Sequence, residues 1–434
     1  MAAWTIRIVI AKGFQAGARF VTYCDFSRRR IVFMITPSTI LAATLGPGRS
    51  LGKPREHLIA SVQGYLSGPT LLILGGIHGN EPAGVLAADR VLPHIQERRA
   101  DLRGEVVLLR GNTRALEREV RYIDVDLNRQ WTEDNVLKSE LTYRGRSEFL
   151  ELRELLTAIR EAVSRARGDV YLVDLHTTSA QGQPFATVGD TLRNRHFALS
   201  FPVTIVLGLE EQIDGTLLEY INNLGAITMG FEAGQHDAIT SVDHHEALIW
   251  NAMIATGNFR REDFAEFVYY WSLLNRAGDG QRVVEVRHRH PIVPEDQFQM
   301  EPGFRNFQPV PRGVVLAKDR RGKIKAHEKG LILLPLYQAL GDDGFFLGRE
   351  VKKFWLNLSR ILRKLKVGHY IHLLPGVRRD PMNENLYIIN TSIARILPLE
   401  IFHLLGFRKR RWINNVLVIS RRSYDVRGPV KLVL

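Results

Sequence analysis

Between about Leu58 and Asn275 the chain alternates short apolar runs with longer stretches of helical period, and this alternation restricts the available folds more than any other feature. LLILGG, EVVLLRGN, VYLVDLH, PVTIVLG and AITMGFE have the length and composition of strands. EPAGVLAADRVLPHIQERR, SEFLELRELLTAIREAVSRA and DGTLLEYINNLG read as helices, the second with apolar residues at a period near 3.6. Strands that are apolar on both sides need cover on both faces. The pattern therefore predicts an α/β domain over residues 49–277, a mostly parallel mixed sheet flanked by helices. After Ala277 the texture changes to short runs punctuated by Gly and Pro, which predicts a small β domain over 278–350. Residues 1–48 read as an N-terminal extension, in which two prolines near the basic-apolar stretch Arg28 to Gly46 favour a loop over a targeting signal.

Composition narrows the function classes. A 45% hydrophobic fraction with 9% aromatic residues suits a globular protein and not a disordered one. The single cysteine, Cys24, excludes an intramolecular disulfide and fits a reducing, cytoplasmic location. No stretch reaches the roughly 20 apolar residues of a membrane span. The formal charge of +13 is unevenly placed: residues 351–434 hold 17 Lys and Arg against Asp380, Glu384, Glu400 and Asp425, and everything before them is neutral overall. The basic character thus belongs to a C-terminal segment.

LLILGGIHGNEPAG joins an apolar strand to a helix through a glycine-rich turn carrying His78 and Glu81. Pro82 suits the first turn of that helix. The carboxyl edge of a parallel sheet is where ligands bind in open α/β folds. A histidine and a carboxylate three apart can share a cleft there, and His176, at the end of VYLVDLH, offers a third donor for an open zinc site. Taken singly, each reads more readily as part of a capped turn or as a hydrogen-bonded core histidine, and it is the three together at strand ends that favour the metal. Glu232, at the end of AITMGFE, reads either as a proton carrier for the attacking water or as a salt-bridged surface residue. Arg121, Asn128 and Arg129 lie together in RYIDVDLNR, where arginine can grip a carboxylate or an oxyanion.

GGIHGNEPAG, RYIDVDLNR, DLHTT and GFEAGQ, in that order, resemble the succinylglutamate desuccinylase and aspartoacylase family of zinc carboxypeptidase-like proteins over about Leu58 to Gly348. The resemblance implies one Zn2+ per chain held by His78, Glu81 and His176, with Glu232 as general acid/base. It further implies that Arg121 polarises the scissile carbonyl, that Asn128 and Arg129 hold a substrate carboxylate, and that Asp126 orients its neighbours. The expected activity is hydrolysis of the amide of an N-acyl amino acid or a related small amide. A carboxypeptidase or amidase acting on a peptide or cell-wall fragment is the alternative, and a non-catalytic membrane- or nucleic-acid-associated protein the second. Two departures bear on specificity: Ala-Gly-Gln follows Glu232 where aspartoacylase-like members tend to have Val-Gly-Pro, and no second carboxylate-binding arginine is evident.

Other motifs carry less. DHHE at Asp243 to Glu246 reads as a polar helix start, His288 and His290 as a solvated strand face, and GPGRSLGKP lacks the glycine and hydroxyl positions of a phosphate loop. In the tail, VKKFWLNLSRILRKLK places Phe354, Trp355, Leu358, Ile361, Leu362 and Leu365 on one helical face. The expectation is that this stripe docks on the protein's own body. An anionic membrane surface is the alternative partner. RKRRW, Arg408 to Trp412, raises nucleic acid, but without a recognised module no specific nucleic acid is expected.

Overall fold

The computed structural model of the chain describes residues 20–26, 29–35 and 56–432, apart from 142–145, 210, 211, 339, 384, 391–398, 414, 415 and 430. Two units divide at Lys53. In the first, β1 (Phe20–Phe26) pairs antiparallel with β2 (Arg29–Ile35). The loop expected at Arg29–Ile35 is thus a strand, consistent with the β-branched and aromatic content of RRIVFMI. The rest of the 1–48 extension and the GPGRSLGKP motif lie outside the described residues.

The second unit is built on an 11-stranded mixed sheet. At its centre β4 (Leu66–Gly75) runs parallel between β5 (Arg103–Arg110) and β6 (Val170–Thr178), and β9 (Ile227–Gln235) runs parallel beside β6. These are the apolar runs of the sequence, and Leu71, Leu72, Ile73 and Leu74 are wholly buried. Side chains alternate across a strand. Leu72 and Leu74 share a core with Val107 and Leu172, under Leu152, Leu155 and Ile159 of the Ser147–Arg165 helix and Leu217 and Ile221 of the Leu217–Leu224 helix. The Ala83–Glu97 helix packs on β4 and on the Thr240–Thr256 helix.

β3 (Leu58–Gln63) lies antiparallel at one edge, against β5. Beyond β9, β7 (Phe185–Val188) is antiparallel to it and parallel to β8 (Thr204–Leu207), which β10 (Val283–Pro291) follows in parallel. β16 (Asp343–Glu350), β15 (Gly330–Leu333) and β12 (Pro309–Val310) continue antiparallel. Four strands from the 278–350 segment therefore extend the large sheet. The same segment supplies a small sheet of β11 (Gln299–Met300), β13 (Val315–Asp319) and β14 (Gly322–Lys325). On β10, His290 stacks on Phe345 with ring centroids 5.0 Å apart, so the expected solvated face is half-buried.

The basic tail folds into the Lys353–Lys364 helix, a 3-10 turn at Val367–Leu373 and a four-stranded antiparallel sheet. That sheet orders β17 (Val377–Arg379), β18 (Leu386–Ile389), β20 (Val416–Arg421) and β19 (Phe407–Ile413) around Ile371, Tyr387, Phe402 and Phe407. RKRRW forms most of β19. The helix departs from expectation: it docks through Ser359 and Arg363, while Phe354 is 66% and Leu365 67% exposed. Electrostatics decides its rotation. The fully buried Arg363 guanidinium donates from Nη2 to Asp190 Oδ2 at 2.8 Å and from Nη1 to Asp190 O at 2.7 Å, and Arg195 pairs with the same carboxylate. Burial alone would raise the Asp190 carboxyl, but the guanidiniums of Arg195, Arg363 and Arg422 override it and hold it far below the usual range. Breaking such a buried pair costs about 3–5 kcal/mol, more than one apolar side chain recovers by burial.

Candidate active site

β4 ends at Gly75 and the chain turns through Gly76, whose φ of +73° is readily adopted only by glycine. At Gly79 a Cβ would fall 2.1 Å from the Ala115 carbonyl carbon, so only glycine lets the turn lie this close to the neighbouring loop. The turn folds His78 and Glu81 back over the strand end, and Pro82 caps the following helix, its carbonyl accepting from Leu86 N–H at 3.1 Å. On β6 His176 pairs in register with Glu232 of β9, which sets both at one level of the carboxyl edge.

His78, Glu81 and His176 are buried and offer ligand atoms all within 4.8 Å of one another, the only such group of three among the described residues. Glu81 Oε1 lies 3.0 Å from His78 Nδ1, and its Oε2 lies 3.2 Å from His176 Nδ1 while accepting Thr177 N–H at 3.0 Å. The outer nitrogens face other carboxylates: Asp126 Oδ1 at 3.2 Å from His78 Nε2, and Asp174 Oδ2 at 2.8 Å from His176 Nε2. Asp174 sets the His176 proton on Nε2, whereas His78 Nε2 meets both Asp126 Oδ1 and, at 3.0 Å, the donor Arg121 Nη2; both Nδ1 atoms turn toward Glu81. Two imidazole nitrogens and a carboxylate, each second nitrogen held by a carboxylate, fit the donor set of an open zinc site.

The charges are strongly coupled. Burial would raise the Glu81 carboxyl, but His78 and His176 outweigh it and hold it well below the usual range. Burial would likewise lower His176, yet Asp174 and Glu81 raise it well above that of a free imidazole. Glu232 goes the other way. Burial pushes it up to about 8, with Glu81 and Asp174 adding to the rise and His176 and Arg121 opposing it. Its Oε2 is enclosed without a hydrogen-bond partner, although the residue as a whole retains some exposure.

The cluster and Glu232 line one cavity of about 150 Å³, together with Arg121, Arg129 and His236. Arg121 Nη2 donates to Asp126 Oδ2 at 3.0 Å, its Nη1 is 3.6 Å from Glu81 Oε1, and its buried Nε has no partner. Asn128 Oδ1 accepts Leu217 N–H at 3.0 Å, fixing the start of the Leu217–Leu224 helix. Arg129 is already paired: its Nη2 donates to Asp343 Oδ2 at 3.4 Å and its Nε is 3.8 Å from Asp342.

All the residues anticipated from sequence gather here, and others join them. Asp174 was legible in principle, since DLH places it two positions before His176 and so on the same side of the strand. His236 accepts or donates at Thr177 Oγ1 (2.7 Å) and approaches Gln338 Oε1 at 3.2 Å. Asp342, Asp343 and Gln338 come from the distant 278–350 segment and gave no local signal. DHHE does open the Thr240–Thr256 helix, where Asp243 and Glu246 both pair with Arg90 and His244 Nδ1 lies 2.7 Å from Ala233 O.

Comparison with known proteins finds likeness over the same part of the chain. Residues 67–255 match the sequence model of the succinylglutamate desuccinylase/aspartoacylase catalytic domain. A succinylglutamate desuccinylase of Pseudomonas fluorescens is 43% identical over 63 residues, 14% of this chain and 19% of the relative. An N-acyl-aromatic-L-amino acid amidohydrolase (carboxylate-forming) of Xenopus laevis is 30% identical over 148 residues, 32% of this chain and 47% of the relative. The chain thus spans less than half the length of these two relatives. A succinylglutamate desuccinylase/aspartoacylase structure from Rhodobacter sphaeroides shares the fold, with a TM-score of 0.51 at 19% identity over 68% of this chain and 88% of that one. Over residues 67–255 the chain thus resembles the succinylglutamate desuccinylase/aspartoacylase family through the match to its catalytic domain.

Proposed function

We propose that this protein is a zinc-dependent amidohydrolase that cleaves the carbon–nitrogen bond of an N-acyl amino acid or a related small amide. The observation that carries the reading is the buried His78–Glu81–His176 cluster beside a carboxylate, Glu232, whose enclosed Oε2 lacks a partner in the same cavity. His78 and His176 through Nδ1, and Glu81 through its carboxylate, would hold the ion. When bound, zinc supplies a Lewis acid that activates water and polarises a carbonyl.

The chain's own residues do the rest. Asp126 and Asp174 fix the two imidazoles. Glu232 takes a proton from the attacking water and returns it to the nitrogen as the carbon–nitrogen bond breaks. The Arg121 guanidinium stabilises the negative charge that grows on the carbonyl oxygen. Arg129 and the amide of Asn128 orient a substrate carboxylate, Arg129 exchanging its contact with Asp343 for the ligand.

Incubating the purified chain with zinc, a panel of N-acyl amino acids and a panel of short peptides, and following amine release, tests the reading. Release from acyl amino acids is expected. Cleavage confined to peptides, or no release from either panel, would contradict it.

A further inference from the structure

The Lys353–Lys364 helix is fastened by its polar side and leaves Phe354, Trp355, Ile361 and Leu365 of its apolar side exposed, with Leu358 and Leu362 half-buried. Ser359 Oγ donates to Leu404 O at 2.9 Å, and Arg363, one turn on, is buried on Asp190 and Asp425. At 100° per residue, Phe354, Leu358, Ile361 and Leu365 fall on a single stripe facing away from that anchor. Phe354, Ile361 and Leu365 are 66%, 52% and 67% exposed, and the Trp355 ring, 46% exposed, packs edge-on against Phe354. Tyr370 and Leu373, in the following 3-10 turn, are exposed as well.

The flank of the stripe is cationic. Lys353, Arg360 and Lys364 project on one side, all exposed and without a carboxylate partner among the described residues, and the helix contains no acidic residue. Arg360 and Lys364 also border a cavity of about 490 Å³ whose walls include Leu192, Leu199, Ile205 and Leu356. A contiguous apolar face of this kind marks a contact surface. Cations beside it select an anionic one, and aromatic residues at its end suit the boundary between headgroups and acyl chains.

We propose that this face is a docking surface for an anionic phospholipid bilayer. The helix lies in the interface plane, with Phe354, Trp355, Ile361 and Leu365 in the acyl boundary and Lys353, Arg360 and Lys364 on the headgroup phosphates. The Asp190–Arg363 anchor keeps the stripe outward, so docking needs no rearrangement of the fold.

The test is co-sedimentation of the full chain with vesicles of phosphatidylglycerol and phosphatidylcholine in equal parts, and with phosphatidylcholine alone. The chain should bind the mixed vesicles only, and raising salt from about 0.1 M to about 1 M should weaken binding strongly, because exposed charges are then screened within about 3 Å. The double variant Ile361→Asp/Leu365→Asp, altered at exposed positions, should keep the thermal midpoint yet bind at least about tenfold more weakly. Failure to bind the mixed vesicles, or unchanged binding by the variant, would overturn the proposal. So would lipid-free self-association that the same variant abolishes, since a second copy would then be what covers the stripe.

Discussion

Replacing Glu232 by Gln in the metal-free protein should alter how stability depends on pH, and the size of the change follows from the burial of this carboxyl. Its folded-state value of about 8 lies above the ordinary 4.5. The folded chain therefore holds this proton between those values while the unfolded chain has lost it. Below about pH 4.5 both states are protonated and the group contributes nothing. As pH rises toward 8 the unfolded state is progressively favoured, and above 8 the full penalty applies. At about 1.4 kcal/mol per unit, that penalty is on the order of 4–5 kcal/mol. Glutamine cannot titrate. Any cost of enclosing its amide, about 1–3 kcal/mol, is the same at every pH. Urea unfolding of chelator-treated protein at pH 5, 6, 7, 8 and 9 measures the difference directly. The wild-type chain should lose stability relative to Glu232→Gln from pH 5 to 8, after which the curves should run parallel. Parallel curves across the whole range would refute the claim that Glu232 is held protonated by its surroundings, and with it the physical basis of its role as a proton carrier near neutrality.

Further outcomes follow from the same geometry. Asp174→Asn removes the carboxylate that holds His176 Nε2 and should weaken zinc binding by about 10–100-fold, measurable by competition with a chromophoric chelator. In steady-state kinetics Arg121→Ala should lower kcat by about 100-fold or more, whereas Arg129→Ala should raise KM for a carboxylate-bearing substrate with less effect on kcat. Asp190→Ala leaves the buried Arg363 guanidinium without its main partner and should destabilise the protein by about 3–5 kcal/mol in chemical denaturation.

How much of this was legible in the sequence depended on how local each signal was. The parallel strands were readable because LLILGG and VYLVDLH are apolar on both faces, and their ends pointed to His78, Glu81, His176 and Glu232. β7 escaped because the four residues of FATV are too few to show a period. Asp342 and Asp343 reach Arg129 across more than 200 residues of chain, so RYIDVDLNR alone could not show that its arginine arrives already paired. The tail helix is the instructive error. Amphipathic periodicity fixed which residues share its stripe, but the direction the stripe faces was set by the Asp190–Arg363 pair, which joins side chains 173 positions apart.

Calorimetric titration of zinc into the metal-free wild-type chain and into His78→Ala and His176→Ala bears most directly on the central claim, that His78, Glu81 and His176 form one metal site. Binding of one ion per chain is expected, with protons released as the strongly basic His176 gives up its charge. Each variant should lose that binding while keeping its fold by circular dichroism. Stoichiometric zinc uptake that survives in both variants, or no uptake by the wild-type chain at micromolar zinc, would contradict it.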